Sequence, residues 1–155
     1  ARGSKGTLTL SVNPFIPKPF TPFQWEPMAD RKTVEKRLKR LEKTLRRRKH
    51  VVVNIESPKE AYIQGVLSRG DRRVGEALMR AHELGGSKAF KRALKELRLD
   101  PAFYLYRKRP ESELFPWERL DMGFKKSYLY EELKRAEALK PTIPCFEGCH
   151  RCGVC

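Results

Sequence analysis

The sequence lacks the long apolar segments found in membrane-spanning and secreted proteins. No run of about 18 apolar residues occurs, so the sequence predicts no transmembrane helix. Residues 1–6 (ARGSKG) lack the apolar centre of a secretory signal. These two absences lead us to expect a cytoplasmic protein without a membrane partner.

The sequence also lacks the motifs that mark a self-contained active site. No recognisable Ser-His-Asp arrangement, no Walker-type phosphate loop and no G-x-G-x-x-G fingerprint is present. We therefore assign no catalytic residue to this chain.

Amide side chains are scarce, whereas charged ones are abundant. The amides are Asn13, Asn54, Gln24 and Gln64. The chain carries 34 Lys and Arg against 19 Asp and Glu, a formal net charge of +15. This excess favours an anionic partner, with RNA or DNA as the first candidate. The same balance is typical of a heat-adapted (thermophile) intracellular protein, in which charge serves stability and solubility. Both explanations stay open here.

The last eleven residues hold all of the cysteines in the chain. The cysteines are Cys145, Cys149, Cys152 and Cys155. Spacers of three, two and two residues let four thiolates converge on one metal ion or cluster, and Gly148 and Gly153 allow the turns that this needs. Ligands in one continuous stretch favour an iron–sulfur cluster. A tetrahedral zinc site is the alternative, and a reduced or disulfide-linked tail is the third possibility.

Other residues of this segment are expected to play lesser parts. His150 would be an unneeded fifth donor and is expected to be exposed, while Phe146 and Val154 are expected to shield the site. The first three cysteines also match the Cys-x₃-Cys-x₂-Cys motif of radical S-adenosylmethionine (radical SAM) enzymes. In those enzymes the motif follows the first barrel strand, usually with an aromatic residue before the third cysteine, where Arg151 stands here. We therefore do not identify these cysteines with that motif.

The first third of the chain has the pattern of a strand–helix–strand unit. Strands are predicted over residues 7–12 and 50–55, the second one buried, with a long basic helix over residues 30–49 between them. Such a unit makes the strands parallel. Because two parallel strands do not form a stable sheet alone, we expect the chain to be a piece of a larger protein. The basic face of the helix is interpreted either as a phosphate-binding face or as a solvated one.

The remaining segments are predicted from prolines, caps and periodicity. Residues 13–25 contain four prolines and are expected to run extended, either lining a pocket or capping a core. Short helices should fill residues 57–140, one of them capped by Asp71 with Arg69, Arg72 and Arg73 exposed around it.

Four segments together resemble the C-terminal part of the radical SAM Fe–S oxidoreductases, a family whose members often carry an N-terminal cobalamin-binding domain. The segments are residues 11–25 (SVNPFIPKPFTPFQW), 67–74 (LSRGDRRV), 116–123 (PWERLDMG) and 152–155 (CGVC). They occur in the order of the family and span nearly the whole chain.

The resemblance implies an α/β fold in three parts. Residues 1–56 would be a βαβ remnant of a partial (β/α) barrel, residues 57–140 a mostly helical extension, and residues 141–155 a cysteine-rich metal-binding tail. It also implies that the motifs for S-adenosylmethionine, its iron–sulfur cluster and any cobalamin precede residue 1, in the rest of the parent enzyme. The parent reaction would be reductive cleavage of S-adenosylmethionine to a carbon radical that abstracts hydrogen. The terminal cysteines would then hold an accessory centre, structural or electron-transferring. The alternative, from charge and thiols alone, is a basic zinc-stabilised RNA-binding module.

Overall fold

The structure, a computed structural model, describes residues 6–154 and is mixed α/β, as predicted. Its regular elements are β1 (Leu8–Val12), α1 (Arg31–Leu45), β2 (Val51–Ile55), α2 (Pro58–Arg69), α3 (Arg72–Glu83), α4 (Phe90–Glu96), α5 (Pro101–Leu105) and α6 (Lys126–Glu137). Short 3₁₀ turns lie at Pro22–Trp25, Ser87–Ala89 and Pro116–Arg119. In this part of the chain, no helix is long and apolar enough to cross a membrane.

The two strands form a parallel pair, which confirms the predicted βαβ unit. Leu8 lies opposite Val51, and the register continues to Val12 opposite Ile55. The connecting helix α1 ends at Leu45, earlier than the predicted residue 49. Four consecutive cations follow, and His50 takes a left-handed conformation (φ 60°) that turns the chain into β2.

The prediction that β2 is a buried strand is wrong for the described residues. Its side chains alternate between half-buried and exposed, and Val52 is 46 % exposed. On β1, Leu8 is 57 % exposed. The apolar, β-branched sequence is that of a strand covered on both faces, but α1 is packed against β2 on one side only. The sheet therefore exposes apolar surface.

The main core lies between the Pro/Phe segment (residues 13–28) and helices α2 to α5. Its buried members are Ile16, Met28, Ala61, Val66, Val74, Ala77, Ala81, Phe90, Ala93, Leu94, Tyr104 and Leu105. Ile16 and Met28 join this core from the region predicted to end a barrel, so the packing is continuous across residue 56. The predicted cap at Asp71 also forms, since its side chain accepts a hydrogen bond from the backbone N–H of Arg73 at 3.0 Å.

The Pro/Phe segment caps this core and also builds a second, aromatic one. Trp25 is fully buried in the aromatic cluster. The buried members of this cluster are Trp25, Phe115, Trp117, Leu129 and Leu133. The Gln24 side chain fixes the contact, because its Oε1 accepts hydrogen bonds from Trp117 Nε1 at 2.8 Å and from the Phe20 backbone N–H at 3.2 Å. The aromatic cluster thus attaches α6 to the start of the chain.

The expectation that Arg69 is exposed beside Arg72 and Arg73 is wrong. Arg69 is only 1 % exposed, whereas the other two arginines lie on the surface. Arg69 donates from Nε to the Tyr104 carbonyl at 2.9 Å and from Nη1 to the Pro17 carbonyl at 3.1 Å. It cross-links the Pro/Phe segment, α2 and α5, which also meet in the main core.

Two glycines in helices give a matched test of how tightly the main core is packed. A Cβ at Gly65 would lie 2.7 Å from Leu105 Cδ2, and Leu105 is fully buried. We expect Gly65→Ala to lower the free energy of unfolding by about 1–3 kcal/mol through overpacking. Gly75→Ala has nothing within 4 Å of the new Cβ and should instead raise the free energy of unfolding by about 0.5–1 kcal/mol. Urea unfolding of both variants checks this, and equal effects would contradict the packing described here.

Candidate metal centre

The cysteine tail (residues 141–154 as described) folds back along α6. Near the end of α6, Arg135 donates to the Pro141 carbonyl and Thr142 donates to Glu132. At its start, the backbone N–H of Lys125 donates to the Cys152 carbonyl at 2.7 Å. The tail therefore runs antiparallel to α6, and it rests on the helix that the aromatic cluster holds in place.

The tail reaches this position through two glycine turns. Gly148 and Gly153 have φ values of 76° and 90°, as their predicted role requires. The first turn is closed by the Cys149 N–H, which donates to the Phe146 carbonyl at 3.1 Å. At the second, a Cβ on Gly153 would lie 3.2 Å from Lys125 Cγ, so a larger residue would crowd α6.

The cysteines differ in their access to solvent. Cys149 is 5 % exposed, Cys152 is half-buried and Cys145 is exposed; all three are free thiols. Cys155, the fourth predicted ligand, lies outside the described residues. Within residues 6–154, no three His, Cys, Asp or Glu side chains lie close enough together to hold a metal ion. The assignment of the four cysteines as ligands stays a prediction.

Arg151 is the residue of this site that the sequence interpretation missed. Its Nε donates to Cys149 Sγ at 3.3 Å, and its Nη2 donates to the carbonyls of Ile143 and Pro144 at 2.8 and 3.0 Å. One guanidinium thus joins the buried thiol to the segment just before Cys145. A cation placed between two cysteines in sequence is the signal for such a role, because thiolates need a positive neighbour.

Electrostatics in the tail favour a thiolate at Cys149. Hydrogen bonds from Arg151, first from its backbone N–H and then from its side chain, lower the pKa of Cys149. Thiolate is the form that binds zinc and iron, so this donor suits such a metal.

Of the remaining expectations for the tail, one is confirmed and one is wrong. His150 is exposed, as expected. Phe146 and Val154 are 62 % and 65 % exposed, so in the described residues they do not shield the thiols, contrary to expectation. The guanidinium of Arg151 lies 5.8 Å from the centroid of the Phe146 ring.

Residues 116–123, one of the four segments that resemble the radical SAM family, form a loop that packs on the aromatic cluster. Trp117 is 8 % exposed and anchors the loop in the aromatic cluster. Asp121 accepts a hydrogen bond from the Gly123 N–H at 2.8 Å, and Gly123 has a φ of 77°. The loop leads into the start of α6, where the Lys125 N–H meets the Cys152 carbonyl, and so positions the later part of the tail.

Comparison of the chain with protein-family models, with curated proteins and with solved structures finds no match.

The role of Arg151 can be tested through the ionisation of Cys149. In metal-free protein, Arg151→Gln should raise the pKa of Cys149, because the variant loses the side-chain hydrogen bond and the positive charge but keeps the backbone N–H. The pH profile of iodoacetamide labelling at Cys149, followed by peptide mass spectrometry, should move to higher pH. Lys140→Gln, which removes a charge outside these contacts, serves as the control. An unchanged profile in Arg151→Gln would contradict the contact.

The tail is expected to be peripheral to both cores. Cys149 belongs to neither core cluster, so Cys149→Ser should change the free energy of unfolding by less than about 1 kcal/mol. Circular dichroism should show intact helices, while limited proteolysis should cut the loosened tail faster than in Cys145→Ser, whose side chain is exposed. Global unfolding of Cys149→Ser would show that the tail is part of the core.

Proposed function

We propose that this chain is the C-terminal portion of a radical SAM iron–sulfur oxidoreductase. Residues 1–56 would end its partial (β/α) barrel, and residues 57–140 would form a helical extension. The observation that supports this most is the open β1–α1–β2 unit. A strand in a (β/α) barrel has parallel neighbours on both sides, whereas each of these strands pairs only with the other among the described residues. The exposed Leu8 and Val52 side chains fit surfaces that further barrel elements would cover.

The Pro/Phe segment also fits a barrel position. It leaves β1 directly after Val12, at the end of the sheet where (β/α) barrels bind their substrates. Phe15 and Phe23 are 62 % and 37 % exposed at that end, and their rings meet edge to face at 5.4 Å. Two exposed aromatic rings fit either a substrate or the upstream part of the enzyme. The sites for S-adenosylmethionine and cobalamin would lie upstream of residue 1.

In this proposal Cys145, Cys149, Cys152 and Cys155 hold an accessory iron–sulfur cluster. Such a cluster supplies structural support or electron transfer. This chain contributes the thiolates, and Arg151 stabilises their negative charge through its hydrogen bond to Cys149 Sγ. Carrying none of the predicted SAM-binding motifs, the chain would not catalyse radical chemistry alone.

A second candidate is a basic, zinc-stabilised RNA-binding module. The same four thiols suit tetrahedral zinc. The specific observation that favours this candidate is a set of exposed cations on α1, among them Lys36, Lys39 and Lys43, that form no ion pair within the described residues.

Anaerobic purification separates the two metals. The proposal predicts a brown protein with broad visible absorption and, for a cubane cluster, about four iron and four sulfide ions per chain. The Cys145→Ser/Cys149→Ser/Cys152→Ser variant should be colourless and free of iron. A colourless parent protein with about one zinc per chain would contradict the iron–sulfur assignment and favour the second candidate.

A further inference from the structure

Helix α1 carries cations along the side opposite its buried face. These residues, the basic band, are Lys32, Lys36, Lys39, Arg40 and Lys43 in the helix and Arg47 in the turn just after it, and all of them are exposed. At 3.6 residues per turn they fall within roughly a third of the helix circumference. Leu38, 8 % exposed, lies on the other side. The band therefore forms one continuous strip of positive charge.

No carboxylate of the described residues forms an ion pair with a side chain of the basic band. The two carboxylates of α1 are engaged elsewhere, Glu35 with Arg31 at 2.7 Å and Glu42 with Arg46 at 2.7 Å. A stabilising surface network needs charges of both signs, whereas like charges three or four residues apart on a helix destabilise it. The heat-adaptation explanation thus does not account for the band, and a bound anion would.

A hollow lined by cations lies at the N-terminal end of α1. Its volume is about 130 Å³, and no carboxylate lines it. The cations around it come from α1, α2, the 3₁₀ turn Ser87–Ala89 and α4, and are Arg31, Lys59, Lys88 and Lys91. Arg31 is already paired with Glu35, which leaves the three lysines to attract an anion.

A second hollow lies at the C-terminal end of α1. It has a volume of about 360 Å³ and is lined by Lys43, Thr44, Arg47 and Arg48, again without a carboxylate. The helix between the two hollows rises about 1.5 Å per residue, so they are about 20 Å apart. Cation-lined hollows at both ends of α1, together with a band of cations on its exposed face, suit a polymer of repeated phosphates better than one small anion.

We propose that the basic band and the two hollows bind the sugar–phosphate backbone of RNA. The contacts are charges without a base-reading groove, so binding should be strongly salt-dependent and weakly sequence-dependent. A membrane surface fits less well, because an interfacial helix needs its apolar face free and α1 packs that side against β2 and α2. The proposal does not depend on which metal the cysteine tail holds.

The test uses the full 155-residue chain and a fluorescent RNA of about 20 nucleotides, with DNA of the same sequence as a second arm. Anisotropy titrations between about 50 and 200 mM salt give the slope of log K against log salt. Lys36→Gln/Lys39→Gln/Lys43→Gln should reduce that slope by about 2, at about 0.7 per lost phosphate contact, and weaken RNA binding at the lowest salt at least about tenfold. Lys88→Gln/Lys91→Gln and Arg47→Gln/Arg48→Gln, one pair in each hollow, should each reduce the slope by about 1.

The matched control removes the same charge elsewhere. Arg72→Gln/Arg119→Gln/Lys140→Gln should leave the slope nearly unchanged, and circular dichroism melting should show that every variant is folded. Equal losses in the control and in the α1 variant would overturn the proposal, because binding would then follow net charge alone.

Undetectable RNA binding at low salt would also overturn the proposal, as would tighter binding to phosphatidylserine vesicles than to RNA. Equal affinity for RNA and DNA supports a backbone contact, and preference for DNA contradicts RNA as the partner.

Discussion

Two buried arginine side chains, Arg69 and Arg109, join segments of this chain that share no regular secondary structure. Arg69 donates to the carbonyls of Pro17 and Tyr104, and Arg109 Nη2 donates to the carbonyl of Arg69 at 3.2 Å. Burial and the neighbouring charge of Arg109 lower the pKa of Arg69 to about 10. Because buried carbonyls left without donors are costly, this arrangement resists displacement of any one segment. The Pro/Phe segment, α2 and α5 are positioned together by it.

The position of the cysteine tail depends indirectly on these two buried arginines. The guanidinium of Arg109 lies 5.4 Å from the centroid of the Phe115 ring and 5.2 Å from that of the Trp117 ring. The backbone N–H of Arg109 donates to the Trp25 carbonyl at 2.8 Å. These rings form the aromatic cluster under α6, and the tail lies along α6. The buried arginines therefore hold the aromatic cluster in place, the aromatic cluster holds α6, and α6 holds the cysteine tail. These successive contacts give a short tail with one buried cysteine a defined path.

The features that could be predicted from the sequence are those that depend on interactions between residues close together in the chain. Asp71 caps a helix because its side chain reaches a backbone N–H two residues away, and β1 and β2 follow from short β-branched runs. Burial of Arg69 was missed because its acceptor, Pro17, lies 52 residues away. The exposure of β2 was missed because an apolar, β-branched sequence predicts a buried strand and does not show whether this chain supplies the residues that would bury it. The contact of Arg151 with Cys149 was missed because spacing identifies ligands, whereas the neighbouring charge depends on how the tail folds.

We propose that residues 1–56 end a partial (β/α) barrel whose earlier strands and catalytic motifs lie upstream. Sequencing the reading frame that precedes Ala1 tests this most directly. We expect a Cys-x₃-Cys-x₂-Cys motif there after a first strand, followed by further strand–helix units up to β1. An initiator methionine immediately before Ala1, or an upstream sequence without that motif, would contradict it.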